Sequence, residues 1–456
     1  MLWQLISKLK PIGVPILETY FRTVDRLAML ILRTRGQSTV REVRGAEWLN
    51  SEKVVIFAAF PSDKLASLHL RMLNRFQKTG YSVLLVSNHP RPDYVFSECL
   101  KEDWAFMFRR PFGRDFGAFK DATLFLHHLT GERGRRFTKV VYLNDSIATI
   151  EANEPSIVAH LDDPNYKFAG VTENYHKGLH VGSFAMSVGE DAFYNPRMVR
   201  YWKQFKSFST RRYAISKGEL GFSKAMRRAG YMPNVSWTLA KMKQALLELP
   251  TERLIEIADR MEPHFRRQIQ TPFKVIDDRM ASFLGASNLG VEEQSILQSI
   301  LGRTRKQAKT VAPSADGALM TAAMIQSSQI ADDPDRRALR FVRFRERFAD
   351  IREKQQAGVF LNAARSDLVD AMLAYIFRGS QIHHGASVLL YIGAGLMKKD
   401  LVLRRIIEPF DVEVLLRHAL GADSPDVSEI KQELLQKGHP YSFTGWTKLM
   451  NDWDFT

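Results

Sequence analysis

The run Lys139-Val140-Val141-Tyr142 ends in Leu143-Asn144-Asp145-Ser146, an acid between two small polar residues where a buried strand would stop. A carboxylate in that place leaves the sheet edge, and its hard oxygen suits one position on a magnesium or manganese ion bridging two phosphates. Asn144 and Ser146 would order the loop or bind coordinated water. The competing reading makes Asp145 or Ser146 the cap of a following helix, because Asn, Asp and Ser are favoured there. Earlier in the chain, Phe112-Gly113-Arg114-Asp115-Phe116-Gly117 frames a second acid with glycines. Gly113 permits a tight turn and close backbone approach, Arg114 offers a planar fork to phosphate, and Asp115 can accept from a ribose or base. Here too a bland reading competes, in which Asp115 is a helix N-cap and Arg114 is solvated.

Such residues need a sheet to hold them. Val54 to Ala59 is a continuous apolar run, too short for a helix and suited to a strand buried on both faces. Pro61 to Lys78 has helical spacing (Leu65, Leu68, Met72, Phe76) and stops at Gly80. Strands are expected at Tyr81 to Ser87, Trp104 to Phe108 and Lys139 to Leu143, with a helix over Asp115 to Leu129. This alternation predicts a mainly parallel sheet that binds ligands beyond the carboxyl ends of its strands. Ser87-Asn88-His89, Gly113-Arg114-Asp115 and Asn144-Asp145-Ser146 then fall along one edge. Further strands near Phe168 to Thr172 and Ser183 to Val188, and helices over Asp191 to Phe205 and Gly218 to Ala229, complete an α/β domain. The expected organisation is an amphipathic helical segment at 1–50, that domain at 51–237, a helical extension at 238–302, a polar linker at 303–336 and a helical region at 337–456.

Composition bounds the partners. The 456 residues carry a net charge of +15, which favours anionic ones: nucleic acid, acidic lipid or diphosphate-bearing substrates. One cysteine, Cys99, excludes a disulfide framework and makes the cytoplasm the default. The most apolar stretch, Ile16 to Leu32, is interrupted by Glu18, Arg22, Asp25 and Arg26, too polar for a spanning helix or a signal peptide core. Its apolar residues Ile16, Tyr20, Val24, Leu27 and Ile31 share one helical face, which either packs on the body of the protein or lies on a membrane surface. Near the other end Arg336, Arg340, Arg343 and Arg347 form a cationic stripe opposite Phe341, Phe344, Phe348 and Ile351, readable as a membrane-surface helix or as a solvated face over a core. No aromatic and basic interleaving and no zinc-finger spacing are present, so no specific nucleic acid is expected.

The motifs together resemble the rhamnan synthesis F-like family of glycosyltransferases in bacterial surface polysaccharide (lipopolysaccharide or capsule) assembly. The resemblance rests on Gly113 to Phe119, Val141 to Ser146, Phe168 to Thr172, His180 to Phe184 and Glu219 to Ser223, and covers roughly residues 53 to 237. It implies a Rossmann-like GT-A-type fold: a mixed, mainly parallel sheet flanked by helices, with an additional all-helical C-terminal region. By the resemblance Asp145 takes the metal, manganese or magnesium, and Asp115 faces the nucleotide; the common sheet edge sets Asn88, Gly113, Arg114, Asn144 and Ser146 along the same cleft. An inverting transfer needs a base, and Glu219, placed by the resemblance near the acceptor, is the candidate; glutamate in a first helical turn is also favoured by the dipole alone. Glu173 and Asp191 are rivals. His176 and His180 have metal-like spacing only in a helix, and Gly178 argues against one, so His176, Lys177 and His180 read as a loop that touches acceptor or phosphate. The implied partners are a nucleotide-sugar donor and a glycan or lipid-linked acceptor; the basic charge and the amphipathic segments add an anionic membrane surface, with the protein cytoplasmic or peripheral on the inner face of the membrane. Pro111, where the family has Asn, and Ile147-Ala148-Thr149-Ile150, where it has a Gly-Pro turn, motivate an alternative: a catalytically degenerate relative that binds glycan or membrane.

Overall fold

A computed structural model describes residues 2–61, 64–90, 92–149, 157–175, 178–261, 357–421, 424, 426–435 and 453. The expected linker at 303–336 and the arginine stripe at 336–347 lie outside these residues. The chain divides into two compact units, one formed by Met1–Thr238 with Gly393–Thr456, the other by Leu239–Ile392.

The first unit is the expected mixed α/β fold. Its strands are β1 (Val40–Arg44), β2 (Lys53–Ala58), β3 (Tyr81–Ser87), β4 (Ala105–Arg109), β5 (Lys139–Asn144), β7 (Phe168–Asn174), β8 (His180–Val181), β9 (Ala185–Gly189) and β10 (Asn234–Trp237). They run in the order β1-β4-β3-β2-β5-β9-β7-β10, with β8 paired to β7. The centre β4-β3-β2-β5 is parallel, in a register that sets Ala58 beside Asn144. Only β1, β9 and β8 run antiparallel to their neighbours in this sheet. The continuous apolar runs form strands because helices cover both faces: every residue from Val54 to Ala58 is fully buried, each side chain of valine size or larger being worth about 1.5–3 kcal/mol. The helix Arg114–Arg133 packs on β2 and β3, and its Phe116 joins Trp202, Phe205 and Phe222 in an aromatic cluster.

Over its described residues the C-terminal region is helical but for one short strand. Leu396–Lys398 (β11) pairs antiparallel with β6 (Ile147–Thr149), directly after the Asn-Asp-Ser motif. Lys399 and Glu433 form a buried ion pair beside it, and Glu429 accepts from Ser67 Oγ and from the Leu68 amide at the start of α2 (Ser67–Lys78). A chain segment far from the motif in sequence is thereby fixed against it.

The N-terminal helix α1 (Leu2–Thr34) does pack on the body of this unit, but through the face opposite to its apolar stripe. Val14, Glu18 and Asp25 are buried on that face, the two acids holding the Ser209-Thr210 backbone and hydroxyls, whereas Ile16, Tyr20, Val24, Leu27 and Ile31 are exposed. At the near end Trp453 lies so close to Gly13 that a Cβ there would stand 2.4 Å from its ring. The second unit is helical over its described residues. Its helices Leu239–Glu248, Thr251–Arg260 and Ala357–Arg378 are joined by ion pairing of Lys243 with Asp370 at 2.8 Å and by hydrogen bonds from Arg365 to the carbonyls of Leu247 and Leu249.

Candidate functional site

From β2 the strand order proceeds through β3 to β4 on one side, while β5 lies on the other, so the winding reverses between β2 and β5. Loops leaving the carboxyl ends of two such strands diverge and open a crevice between them. Asp145 stands in that crevice. Its N–H donates to the Ala58 carbonyl at 3.1 Å, and its Oδ2 accepts from the Phe60 N–H at 2.8 Å. No helix follows it: Asp145 and Ser146 form a turn into β6, which removes the capping reading.

Asn144 connects the two sequence motifs. It is 1% exposed, and its Nδ2 donates to Asp115 Oδ2 at 2.7 Å while its Oδ1 accepts from the amide and hydroxyl of Ser146. Ser146 Oγ in turn accepts from Lys398 Nζ at 2.5 Å, and that ammonium lies 5.5 Å above the Phe184 ring. Lys398 sits opposite Ile147 in the β6–β11 register, so backbone pairing delivers its side chain to the motif.

Asp115 is not an N-cap. Gly113 holds that place with φ 81°, and the first turn is aimed so that Asp115 meets Asn144 instead. Protein packing requires both glycines: a Cβ on Gly113 would lie 2.8 Å from Ser207 Cα, and one on Gly117 2.2 Å from the Phe112 carbonyl. The fully buried Arg109 secures the turn by donating to that carbonyl at 2.7 Å and pairing with Asp121 at 2.9 Å. Arg114, exposed at the mouth, adopts φ 51°, a left-handed conformation that costs a non-glycine residue on the order of 1–3 kcal/mol and clusters at functional positions.

Glu219 approaches from the other side. The expected helix over 218–229 begins earlier, with an α-turn at Arg211–Tyr213, wide π-type turns over Ala214–Glu219 and regular helix from Leu220 to Arg228. Glu219 is therefore not in a first turn, and the dipole does not explain it. The wide turns press Gly218 onto Phe116, where a Cβ would stand 2.4 Å from the ring, and Tyr201 Oη donates to the loosened carbonyls of Lys217 and Gly218. Such insertions recur at functional sites. Glu219 Oε1 accepts from Ser183 Oγ at 2.6 Å, and its Oε2 lies 3.9 Å from His180 Nε2. The Gly178 carbonyl can only accept, so His180 Nδ1, 2.8 Å away, carries a proton.

These groups share one field. Burial pushes the Asp115 carboxyl above the ordinary aspartate range; Arg114 and Lys398 pull it down, and Asp145 and Glu219 push it up. Asp145, Glu219, Arg114 and Lys398 thus all lie within electrostatic range of Asp115. Among the described residues no group of three or more His, Cys, Asp or Glu side chains is arranged to hold a metal. Asp115 and Asp145 each engage one oxygen in a hydrogen bond, and a remaining carboxylate oxygen is a hard donor of the kind a magnesium or manganese ion takes.

Of the other expected site residues, Asn88 is half-buried just beyond β3, two strands from Asn144. His176 and Lys177 lie outside the described residues; His180 is buried in β8, not on a helix. Glu173 is buried on β7, and Asp191 pairs with Lys167 at the surface. Lys398 and Ser183 were not expected. Nothing local marks Lys398, because only the distant β6–β11 pairing gives it a role.

No known family profile matches the chain. It is similar to an uncharacterized protein, y4gN, of Sinorhizobium fredii, with 22% identity over 191 residues, 41% of this chain and 49% of the relative. The chain thus spans about half the length of the curated relative it matches.

Proposed function

We propose that this chain is a GT-A-like glycosyltransferase that moves a hexosyl or deoxyhexosyl group from a nucleotide-diphosphate sugar to a cell-surface polysaccharide or lipid-linked glycan. The observation that carries the reading is the convergence of Asp115, Asp145, Glu219, Arg114 and Lys398 at the reversal of a parallel sheet. A diphosphate is the ligand for which two cations and hard carboxylate oxygens on one crevice make sense together. A divalent cation held by Asp145 would supply charge neutralisation for the departing diphosphate.

The chain's own residues take definite parts. Arg114 and Lys398 would bind phosphate oxygens directly; Lys398 is anchored by Ser146, which keeps its ammonium over the crevice. Asn144 holds Asp115 in place to receive the nucleotide. Glu219, fixed by Ser183 and near His180, would take the proton from the attacking acceptor hydroxyl. A thermal-shift screen of nucleoside diphosphates and their sugars, with and without manganese, tests the reading. A metal-enhanced rise in melting temperature for one base is expected, and no shift with any of them contradicts it.

The second reading, a degenerate glycan- or membrane-binding relative, draws on Pro111 and on the strand that replaces the family's turn after Ser146. Metal-stimulated release of nucleoside diphosphate from a sugar donor would exclude it.

A further inference from the structure

Helix α1 presents outward what a soluble helix ordinarily turns inward. Its acids, Glu18 and Asp25, are 8% and 9% exposed, while Ile12, Ile16, Tyr20, Leu27 and Ile31 are 49% to 65% exposed. These five project within an arc of roughly 100°. From Ile12 to Ile31 the stripe runs about 28 Å at 1.5 Å per residue.

The polar groups on this face are arranged for an apolar medium. Thr19 and Thr23 give their hydroxyl protons to the helix carbonyls of Pro15 and Thr19, each at 2.9 Å, and Thr34 gives its own to Ile31 at 2.9 Å. A hydroxyl satisfied within its own helix costs little to remove from water. The charges beside the stripe are positive: Arg33 borders it, Arg35 follows the helix, and Arg26, also solvent-exposed, rests its guanidinium 5.3 Å over the Phe208 ring. Both acids are turned away, holding Thr210 Oγ1 at 2.5 Å and the Ser209 amide at 2.7 Å. Among the described residues no helix is long and apolar enough to cross a membrane.

We propose that this face of α1 docks on an anionic lipid surface, lying in the headgroup region with the apolar stripe inserted and the arginines on acidic phosphates. Charge decides between lipid and a second copy of the chain. A second copy is itself basic, with a net charge of +15 over the whole chain, and would set the same arginines against their own kind, whereas acidic lipid neutralises them. A polyanion such as nucleic acid would be drawn by the arginines but has no use for the stripe.

Cosedimentation with vesicles tests this, using phosphatidylcholine alone and an equal mixture of phosphatidylcholine and phosphatidylglycerol. The full chain is expected to bind the mixed vesicles and not the neutral ones. The triple variant Ile16→Ser, Leu27→Ser, Ile31→Ser should bind at least about tenfold more weakly, since several partly exposed side chains lose their burial in lipid. Because these side chains are exposed, its melting temperature and nucleotide binding should match the parent's, which separates failure here from failure of the proposed function. A dye sensitive to polarity on Leu27→Cys should shift to the blue with mixed vesicles; the native Cys99 is buried and stays unlabelled. Equal vesicle binding by parent and triple variant would overturn the proposal. So would a dimer of the parent that the triple variant abolishes, with neither protein binding vesicles.

Discussion

Removing the Lys398 ammonium is the sharpest perturbation of the proposed diphosphate site. The side chain reaches Ser146 from a strand held by backbone pairing to β6 and by the neighbouring Lys399–Glu433 pair, so Lys398→Ala leaves the strand's own anchors in place. Two effects follow from the geometry. One charge-assisted contact to a phosphate oxygen is lost, about 1.5–3 kcal/mol. At 1.4 kcal/mol per tenfold, that weakens nucleoside diphosphate binding by roughly 10- to 150-fold. Asp115 also loses one of the two cations that hold its carboxyl down, so its protonation rises further. Lys398→Gln separates charge from tether, because an amide can still donate to Ser146 Oγ but carries no charge. Isothermal titration calorimetry at fixed ionic strength should show both variants weakened by similar factors, with melting temperatures near the parent's. If both bind within about twofold of the parent, the ammonium does not face the phosphates and the reasoning fails.

Three further outcomes are expected. Glu219→Gln should keep donor binding and lose about 10²–10⁴-fold in transfer rate, measured by product formation, because the amide still accepts from Ser183 but takes no proton. Gly117→Ala should lower stability by about 1–3 kcal/mol in denaturant titration, since its Cβ would stand 2.2 Å from the Phe112 carbonyl. Stability should also fall on mild acidification. Burial, and then Lys203, lower His127 from 6.5 to about 4, and burial, then Lys399, place His69 well below 6.5, so the unfolded chain binds more protons in that window. Their contribution is complete above about 6.5 and is lost as pH falls toward about 4; a melting temperature that does not decline over this range contradicts it.

The central strands were legible because a parallel sheet buried on both faces demands unbroken apolar runs, and Val54 to Ala58 and Lys139 to Leu143 supply them. The common edge of the Gly-Arg-Asp and Asn-Asp-Ser motifs followed from the same rule, and Asn144 donating to Asp115 is its physical form. What sequence concealed is tertiary. Periodicity located the stripe of α1 but not its direction, because Glu18 and Asp25 find hydrogen-bond donors on the Ser209-Thr210 segment that no local pattern announces. The wide turns that aim Glu219 arise from Gly218 pressing on Phe116, and Lys398 acquires its place only when β11 pairs with β6. The tight turn and close backbone approach expected of Gly113 are made toward Ser207 and Gly117, and Gly117 in turn lies against the Phe112 carbonyl.

The most direct test of the diphosphate site is calorimetric titration of the nucleoside diphosphate selected by the screen, with manganese, into the parent chain and into Asp145→Ala. The alanine removes the remaining carboxylate oxygen together with the tie to the Phe60 amide. Metal-dependent binding by the parent that the variant abolishes is the expected result. Unchanged binding in the variant would contradict the assignment of this crevice.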